Sequence, residues 1–137
     1  MKTLVIFYSY SGNTRKIARG ISEKEDCDLL ELKDAKKRSA IGTFIMGSYA
    51  AMKRRKTELE DFNSNFSSYN RFIILMPIWA GHPAPPINNI VELLPTGCEA
   101  ELIMVSGGGS SSGSSHATIA LFENRGIKIT AYKDIKA

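Results

Sequence analysis

The sequence predicts an α/β fold, a doubly wound parallel sheet of four or five strands between layers of helix. Three observations lead there. Short apolar runs alternate with segments of helical periodicity, the pattern of right-handed βαβ units. The runs Leu4–Tyr8, Phe72–Met76 and Leu102–Val105 are apolar at every position, as strands covered on both faces require. The stretches after those three runs, Ser9–Thr14, Pro77–Pro83 and Ser106–Ser115, are rich in glycine, serine or proline. In such sheets, ligands bind beyond the carboxyl ends of the strands.

Leu4–Tyr8 is the first strand. Thr14, Ile17, Ala18 and Ile21 follow at i, i+3, i+4 and i+7, one face of the first helix, with Arg15, Lys16, Arg19 and Glu23 pointing outward. Cys27–Leu32 is a weaker strand in which Glu31 marks an edge. Ile41, Phe44, Ile45, Ser48, Tyr49 and Met52 keep helical spacing through the second crossover. Phe62–Asn70, rich in asparagine and serine, reads as a loop. Phe72–Met76 is the central strand. Ala84-Pro85-Pro86 opens a third helix in which Ile87, Ile90, Val91 and Leu94 share a face; proline is tolerated in a first turn because its missing N–H would be unpaired anyway. After the strand Leu102–Val105, Ala117, Ala120 and Leu121 mark a fourth helix, stopped near Gly126. Ile127–Tyr132 is the last strand, with Ile127, Ile129 and Ala131 on one face and Lys128, Thr130 and Tyr132 on the other.

The 137 residues are 43% hydrophobic and 23% charged, which excludes a disordered or fibrous chain and suits a single domain over residues 1–137. The longest apolar run, Phe72–Ala80, is broken by Pro77 and falls short of the ~18 residues of a membrane span. The apolar run after Lys2 is too short for a signal peptide. Cys27 and Cys98 have neither metal-ligand nor redox spacing. Two reduced thiols in a cytoplasmic protein are therefore expected, with no membrane partner.

The net charge is +4, and its excess sits in one place. Lys33–Lys56 holds eight cations and one acid, Asp34, leaving ten cations and thirteen acids elsewhere. A uniformly basic nucleic-acid binder would not have this distribution, so no nucleic-acid partner is expected. The run reads either as a solvated helix face or as a docking patch for an acidic partner or a phosphate-bearing ligand.

Ser9-Tyr10-Ser11-Gly12-Asn13-Thr14 offers hydroxyls, an amide and a glycine just before a helix N-terminus. That set either caps the helix or cradles a phosphate. Pro77-Ile78-Trp79-Ala80-Gly81 carries the only tryptophan, which either folds onto the core or stacks on a planar ring. His82 reads as an exposed loop residue. Ser106-Gly107-Gly108-Gly109 and the following Ser110–Gly113 have linker composition. Their position between strand and helix, however, suits close backbone approach to a ligand.

Together these pieces resemble the flavodoxin family of FMN-binding proteins. Phe7–Thr14 matches its phosphate loop, Pro77–Gly81 its first flavin loop and Ser106–Gly108 its second, and the resemblance runs from Met1 to about Lys133. It implies a flavodoxin-like fold, a doubly wound five-stranded parallel sheet in the order 2-1-3-4-5, with FMN as cofactor. Ser9, Tyr10, Ser11, Gly12, Asn13 and Thr14 would lie at the phosphate, and Pro77, Ile78, Trp79, Ala80 and Gly81 at the ring. Ser106, Gly107, Gly108, Gly109 and Gly113 would lie at the pyrimidine edge. The implied role is electron transfer with a redox partner protein, acidic if it docks near Lys53–Lys56. An NAD(P)H-dependent quinone reductase and a binding module without redox activity are the alternatives.

Two departures from the family are visible. The basic segment contrasts with acidic low-potential flavodoxins, and no fifth helix follows the last strand. Without that helix, one face of the strands Phe72–Met76 and Leu102–Val105 is expected to be bare. An apolar patch of several hundred Å² would then be covered by another chain, most simply in a homodimer. Gly109–Gly113 also matches the G-x-S-x-G nucleophile elbow, but no histidine follows His116 to complete a triad.

Overall fold

The computed structural model describes residues 2–36 and 46–137. Strands are β1 (Lys2–Tyr8), β2 (Asp28–Leu32), β3 (Tyr69–Trp79), β4 (His82–Pro83), β5 (Glu99–Ser106) and β6 (Lys128–Lys136). Helices are α1 (Asn13–Glu25), α2 (Ser48–Met52), α3 (Pro86–Ile90) and α4 (Ser115–Glu123). Five strands pair in parallel in the order β2-β1-β3-β5-β6, and β4 folds back antiparallel on β3. Apart from that hairpin, this is the 2-1-3-4-5 sheet that the resemblance implies.

Two apolar cores hold the sheet. Phe72, Ile74, Met76, Leu102 and Met104 join one with Ile87, Ile90, Val91, Leu94 and Phe122 from the helices. Val5, Phe7, Ile73, Leu75, Ile103 and Val105 join the other under α1, through Ala18, Ile17 and Ile21. The periodicity of α1 and of Ile87–Leu94 thus marks buried faces, although α3 itself is shorter than that run. α4 differs. Its buried residues are Thr118 and Phe122, while Ala117 and Ala120 face solvent. In α2 only Ala51 is buried, and Tyr49 and Met52 are exposed; Ile41, Phe44 and Ile45 lie outside the described residues. β3 begins at Tyr69, inside the segment read as a loop, because Lys2 and Thr3 extend its pairing with β1 to Tyr69 and Arg71.

The last strand corrects the alternation read from the sequence. Ala100 pairs with Ile129 but Glu101 pairs with Ala131, so Thr130 is an extra residue in β6. Such a bulge reverses which face later side chains take. Tyr132 therefore packs on the same core as Ile129, and Ile135 joins the core under α1.

The expected bare apolar face is also corrected. Ile73, Leu75, Ile103 and Val105 are all no more than 3% exposed. Ile17, Ile21 and Ile135 close over them. Further along the same face, Glu101 lies 3.9 Å from Arg71 and 3.3 Å from Lys133, a charged row across β3, β5 and β6. What remains open is a groove of about 530 Å³ between α1 and the end of β6, lined by Ile17, Ile21 and Ile135 with Lys16, Lys24 and Lys136.

Gly126, between α4 and β6, has φ +79°, and a methyl group added there would lie 2.7 Å from Thr96 Cγ2. Gly126→Ala should lower unfolding stability by about 1–3 kcal/mol in urea titrations. In a Thr96→Ala background the clash is gone, and about 1 kcal/mol should remain for the left-handed backbone. Complete recovery in the double variant would show that the backbone conformation is cost-free.

Candidate functional site

The carboxyl ends of β1, β3 and β5 meet at one edge, and each is followed by one of the three unusual loops. After β1, Gly12 takes φ +102° and turns the chain into α1. Its N–H donates to Ser9 Oγ at 3.0 Å. No side chain caps the first turn of α1, so the capping alternative is not the one realised. The helix presents its first N–H groups, with their partial positive charge, beside exposed Ser11 and Asn13. Thr14 is buried at 2% exposure. Arg15 turns away from the loop: its guanidinium makes a bidentate pair with Glu31 on β2, Nη2 to Oε2 at 2.5 Å and Nε to Oε1 at 3.2 Å.

The second segment is partly strand. Pro77, Ile78 and Trp79 lie in β3, where Ile78 pairs with Pro83 and Trp79 with His82. Ala84 N–H donates to Pro77 O at 2.9 Å and ties down the hairpin's base. Ala80 and Gly81 form its two-residue turn with φ +52° and +81°. Two-residue hairpin turns of type I′ need positive φ at both positions. Trp79 is half-buried, so the core-packing alternative is realised in part. It packs on the core yet stands at the loop edge, edge-on to Tyr8 at 5.8 Å and to Tyr10 at 6.2 Å between ring centres. Tyr10 is itself 44% exposed.

The third segment is held by hydrogen bonds, unlike a linker. Gly109 N–H donates to Ser106 Oγ at 2.9 Å. Gly107 and Gly108 are exposed, and a Cβ added to either meets nothing within 4 Å. Gly113 lies further on, in the exposed run into α4. Ser114 Oγ donates to Gly81 O at 2.6 Å and so joins the third loop to the hairpin turn. Through this bond and the Tyr10–Trp79 contact, the three loops form one continuous rim.

The roles that several residues take at this rim were not visible in the sequence. Ser111 is 3% exposed, with its hydroxyl donating to Asp134 Oδ1 at 2.6 Å and 2.5 Å from the Tyr132 hydroxyl. Burial pushes the Tyr132 phenol up from its ordinary pKa, partly offset by the Ser111 bond. With its hydroxyl committed below the surface, and His116 exposed on α4, Ser111 is not placed as a nucleophile. Arg54 is half-buried and reaches from beyond α2 to Ser114 O at 3.3 Å and Thr118 Oγ1 at 3.0 Å. The abundance of serine in the loop hid which serine would be structural, and nothing in a run of four cations marks the one that turns inward.

The site can bind an anion at the α1 N-terminus and a flat ring beside Trp79, with open backbone opposite. The described residues contain no group of three or more His, Cys, Asp or Glu side chains able to hold an ion. No described helix is long and apolar enough to cross a membrane. Removing the Ser111 hydroxyl leaves Tyr132 and Asp134 without their shared partner. Ser111→Ala should therefore cost about 1–3 kcal/mol in denaturant unfolding.

No family model matches the sequence, and no curated protein matches it. Solved structures do. A flavoprotein from Lactobacillus acidophilus, determined in complex with FMN, superposes with a TM-score of 0.80 at 22% identity, covering 96% of this chain and 91% of that one. A Bacteroides eggerthii protein assigned as a flavoprotein gives 0.84 at 19% identity, over 96% and 86% of the two chains. The two-electron reduced flavodoxin of Megasphaera elsdenii gives 0.60 at 16% identity, over 96% and 83%. The strand order, the crossovers and these superpositions agree: the chain has the flavodoxin-like fold.

Proposed function

We propose that the protein binds one FMN without a covalent bond at the carboxyl edge of β1, β3 and β5 and serves as an electron carrier. The observation that carries this reading is the convergence on that edge of three features: an uncapped helix N-terminus, a half-buried tryptophan and an open pair of glycines. The donor set fits the three parts of the ligand. Phosphate suits the α1 N–H groups with Ser11, Asn13 and Thr14, and needs no basic side chain. Ser9 Oγ already accepts the Gly12 N–H, which leaves its own proton to donate outward. Trp79 offers a ring face, and the backbone of Gly107–Gly109 offers donors with no side chain in the way. The Lactobacillus acidophilus flavoprotein was determined in complex with FMN, which supports the choice of ligand.

When bound, FMN supplies the redox chemistry; the protein binds it, orients it and tunes it. The hairpin turn at Ala80-Gly81 stands at the ring, with His82 Nδ1 donating to Ala80 O at 3.0 Å and Ser114 to Gly81 O. For the partner, the proposed docking surface is centred on exposed Lys53, Arg55 and Lys56. Lys53 and Arg55 flank the Tyr49 ring, and Lys56 pairs with Glu92 at 3.0 Å. Such a surface suits an acidic redox protein that delivers or accepts electrons.

Titrating the protein into FMN should quench flavin emission at one-to-one stoichiometry. Thr14→Leu should abolish the quenching, and Trp79→Ala should weaken binding by ~1–3 kcal/mol. Unquenched FMN with excess wild-type protein overturns the reading, and bleaching of the complex by NADPH alone would make it a reductase rather than a carrier. Electron transfer with an acidic partner should slow as salt rises, because the Debye length falls to ~10 Å by 0.1 M. Rates indifferent both to salt and to neutralising Lys53, Arg55 and Lys56 would reduce the patch to a solvated face.

A further inference from the structure

Of the four consecutive cations Lys53–Lys56, one points inward. Arg54 follows α2 directly: its N–H bonds Ala51 O at 3.2 Å and the Arg55 N–H bonds Ala50 O at 2.9 Å. Arg54 itself has φ +51°. This is the left-handed residue of a Schellman helix end, a position where glycine is favoured. An arginine here has its backbone in a region L side chains avoid, and its side chain spans to α4. There Nη2 donates to Ser114 O and to Thr118 Oγ1, on residues only 3% and 0% exposed. Thr118 Oγ1 donates in turn to Ser114 O at 3.0 Å. Ser114 Oγ holds Gly81 O. The guanidinium is therefore one serine away from the hairpin turn at the proposed ring site.

The charge is not cancelled locally. Among the described residues no carboxylate lies within ion-pairing distance of Arg54. The titratable side chain that faces it is Tyr132, a neutral phenol tied to Ser111, with Asp134 beyond. Burial draws the Arg54 guanidinium below its ordinary range, but arginine stays charged at any physiological pH. A partly desolvated, unpaired cation acts on a nearby charge more strongly than a surface lysine does. Reduced FMN carries a negative charge on its ring system at neutral pH, and oxidised FMN carries none there.

We propose that Arg54 is a positioning residue that makes this site favour reduced over oxidised FMN, its charge acting on the ring while Ser114 and Thr118 anchor it beside the Ala80-Gly81 turn. The proposal rests on the FMN reading. It gives the inward cation a task distinct from the outward three.

The test measures the midpoint potential of the bound flavin, and the dissociation constant of oxidised FMN, for wild type and three variants. Arg54→Gly is the main one, because glycine accepts the left-handed backbone and the helix end stays intact. It should reduce the preference for reduced FMN about tenfold, with binding of oxidised FMN little changed. For a two-electron couple that is a midpoint lower by about 30 mV. Arg54→Lys keeps the charge and should hold most of the wild-type potential. Ser114→Ala keeps the cation but frees Gly81 O, and should weaken both redox states alike. A wild-type potential in Arg54→Gly overturns the proposal. So does an Arg54→Lys potential as low as that of Arg54→Gly, which would assign the effect to hydrogen bonds rather than charge. Wild-type protein that binds no FMN overturns the functional reading along with it, whereas FMN binding with an unmoved potential removes only the role of Arg54.

Discussion

Everything at the functional edge depends on the burial of a parallel sheet on both faces. Successive residues of β3 go to different cores: Phe72, Ile74 and Met76 to one, Ile73 and Leu75 to the other. β5 does the same with Leu102 and Met104 against Ile103 and Val105. A slip of one residue would exchange the two sets, and each set is fitted to different helices. Register is therefore fixed, and with it the point at which each strand stops. β1, β3 and β5 end together because they run the same way, and their loops have one place to meet. The site follows from the packing beneath it.

How legible this was in the sequence varied with the range of the interaction. Strands buried on both faces are written as unbroken apolar runs, so β1, β3 and β5 could be found from composition alone, and parallel order followed from the alternation with helices. Interactions that depend on a single inserted or strained residue could not. Thr130 looks like any strand residue, yet as the extra residue in β6 it sends Tyr132 to the core face, where its hydroxyl meets Ser111. Ala80-Gly81 lacks the Asn-Gly or Asp-Gly signature of a tight hairpin, so the extension of β3 through Trp79 was hidden. Tyr49 and Met52 follow helical spacing, but α2 buries only Ala51. Periodicity reports that a helix is amphipathic; it does not report which side the rest of the chain will cover.

The face under α1 shows how a charged row can do part of the work of a helix. Arg71, Glu101 and Lys133 lie on the same side of adjacent strands as Ile73, Ile103 and Ile135 by register. The Glu101 side chain is only 14% exposed, between two cations. A carboxylate that shielded is tolerated because it is paired on both sides. The long aliphatic stems of Arg71 and Lys133 can at the same time cover apolar surface. The strand cores Phe72–Met76 and Leu102–Val105 suggested a bare hydrophobic face because the charged residues that share it lie just outside both runs.

Three non-glycine residues among those described have positive φ: Asp26, Arg54 and Ala80. Asp26 caps the end of α1 and bonds back to Ser22 O, an ordinary use of the left-handed region at a helix terminus. Arg54 and Ala80 differ from it in where they lead. Both are linked to Ser114, one through its carbonyl and the other through the turn whose Gly81 O takes its hydroxyl proton. Left-handed conformations of this kind cost of order 1 kcal/mol each and persist only where surrounding contacts hold them. Here those contacts are the β3–β4 pairing, the Ala84–Pro77 bond, and the bonds made by Ser114, just before α4, and Thr118 within it. A turn so over-determined leaves the backbone beside Trp79 in one arrangement before any ligand arrives. The ordering cost is then met on folding rather than on binding, which is the physical meaning of a pre-formed site.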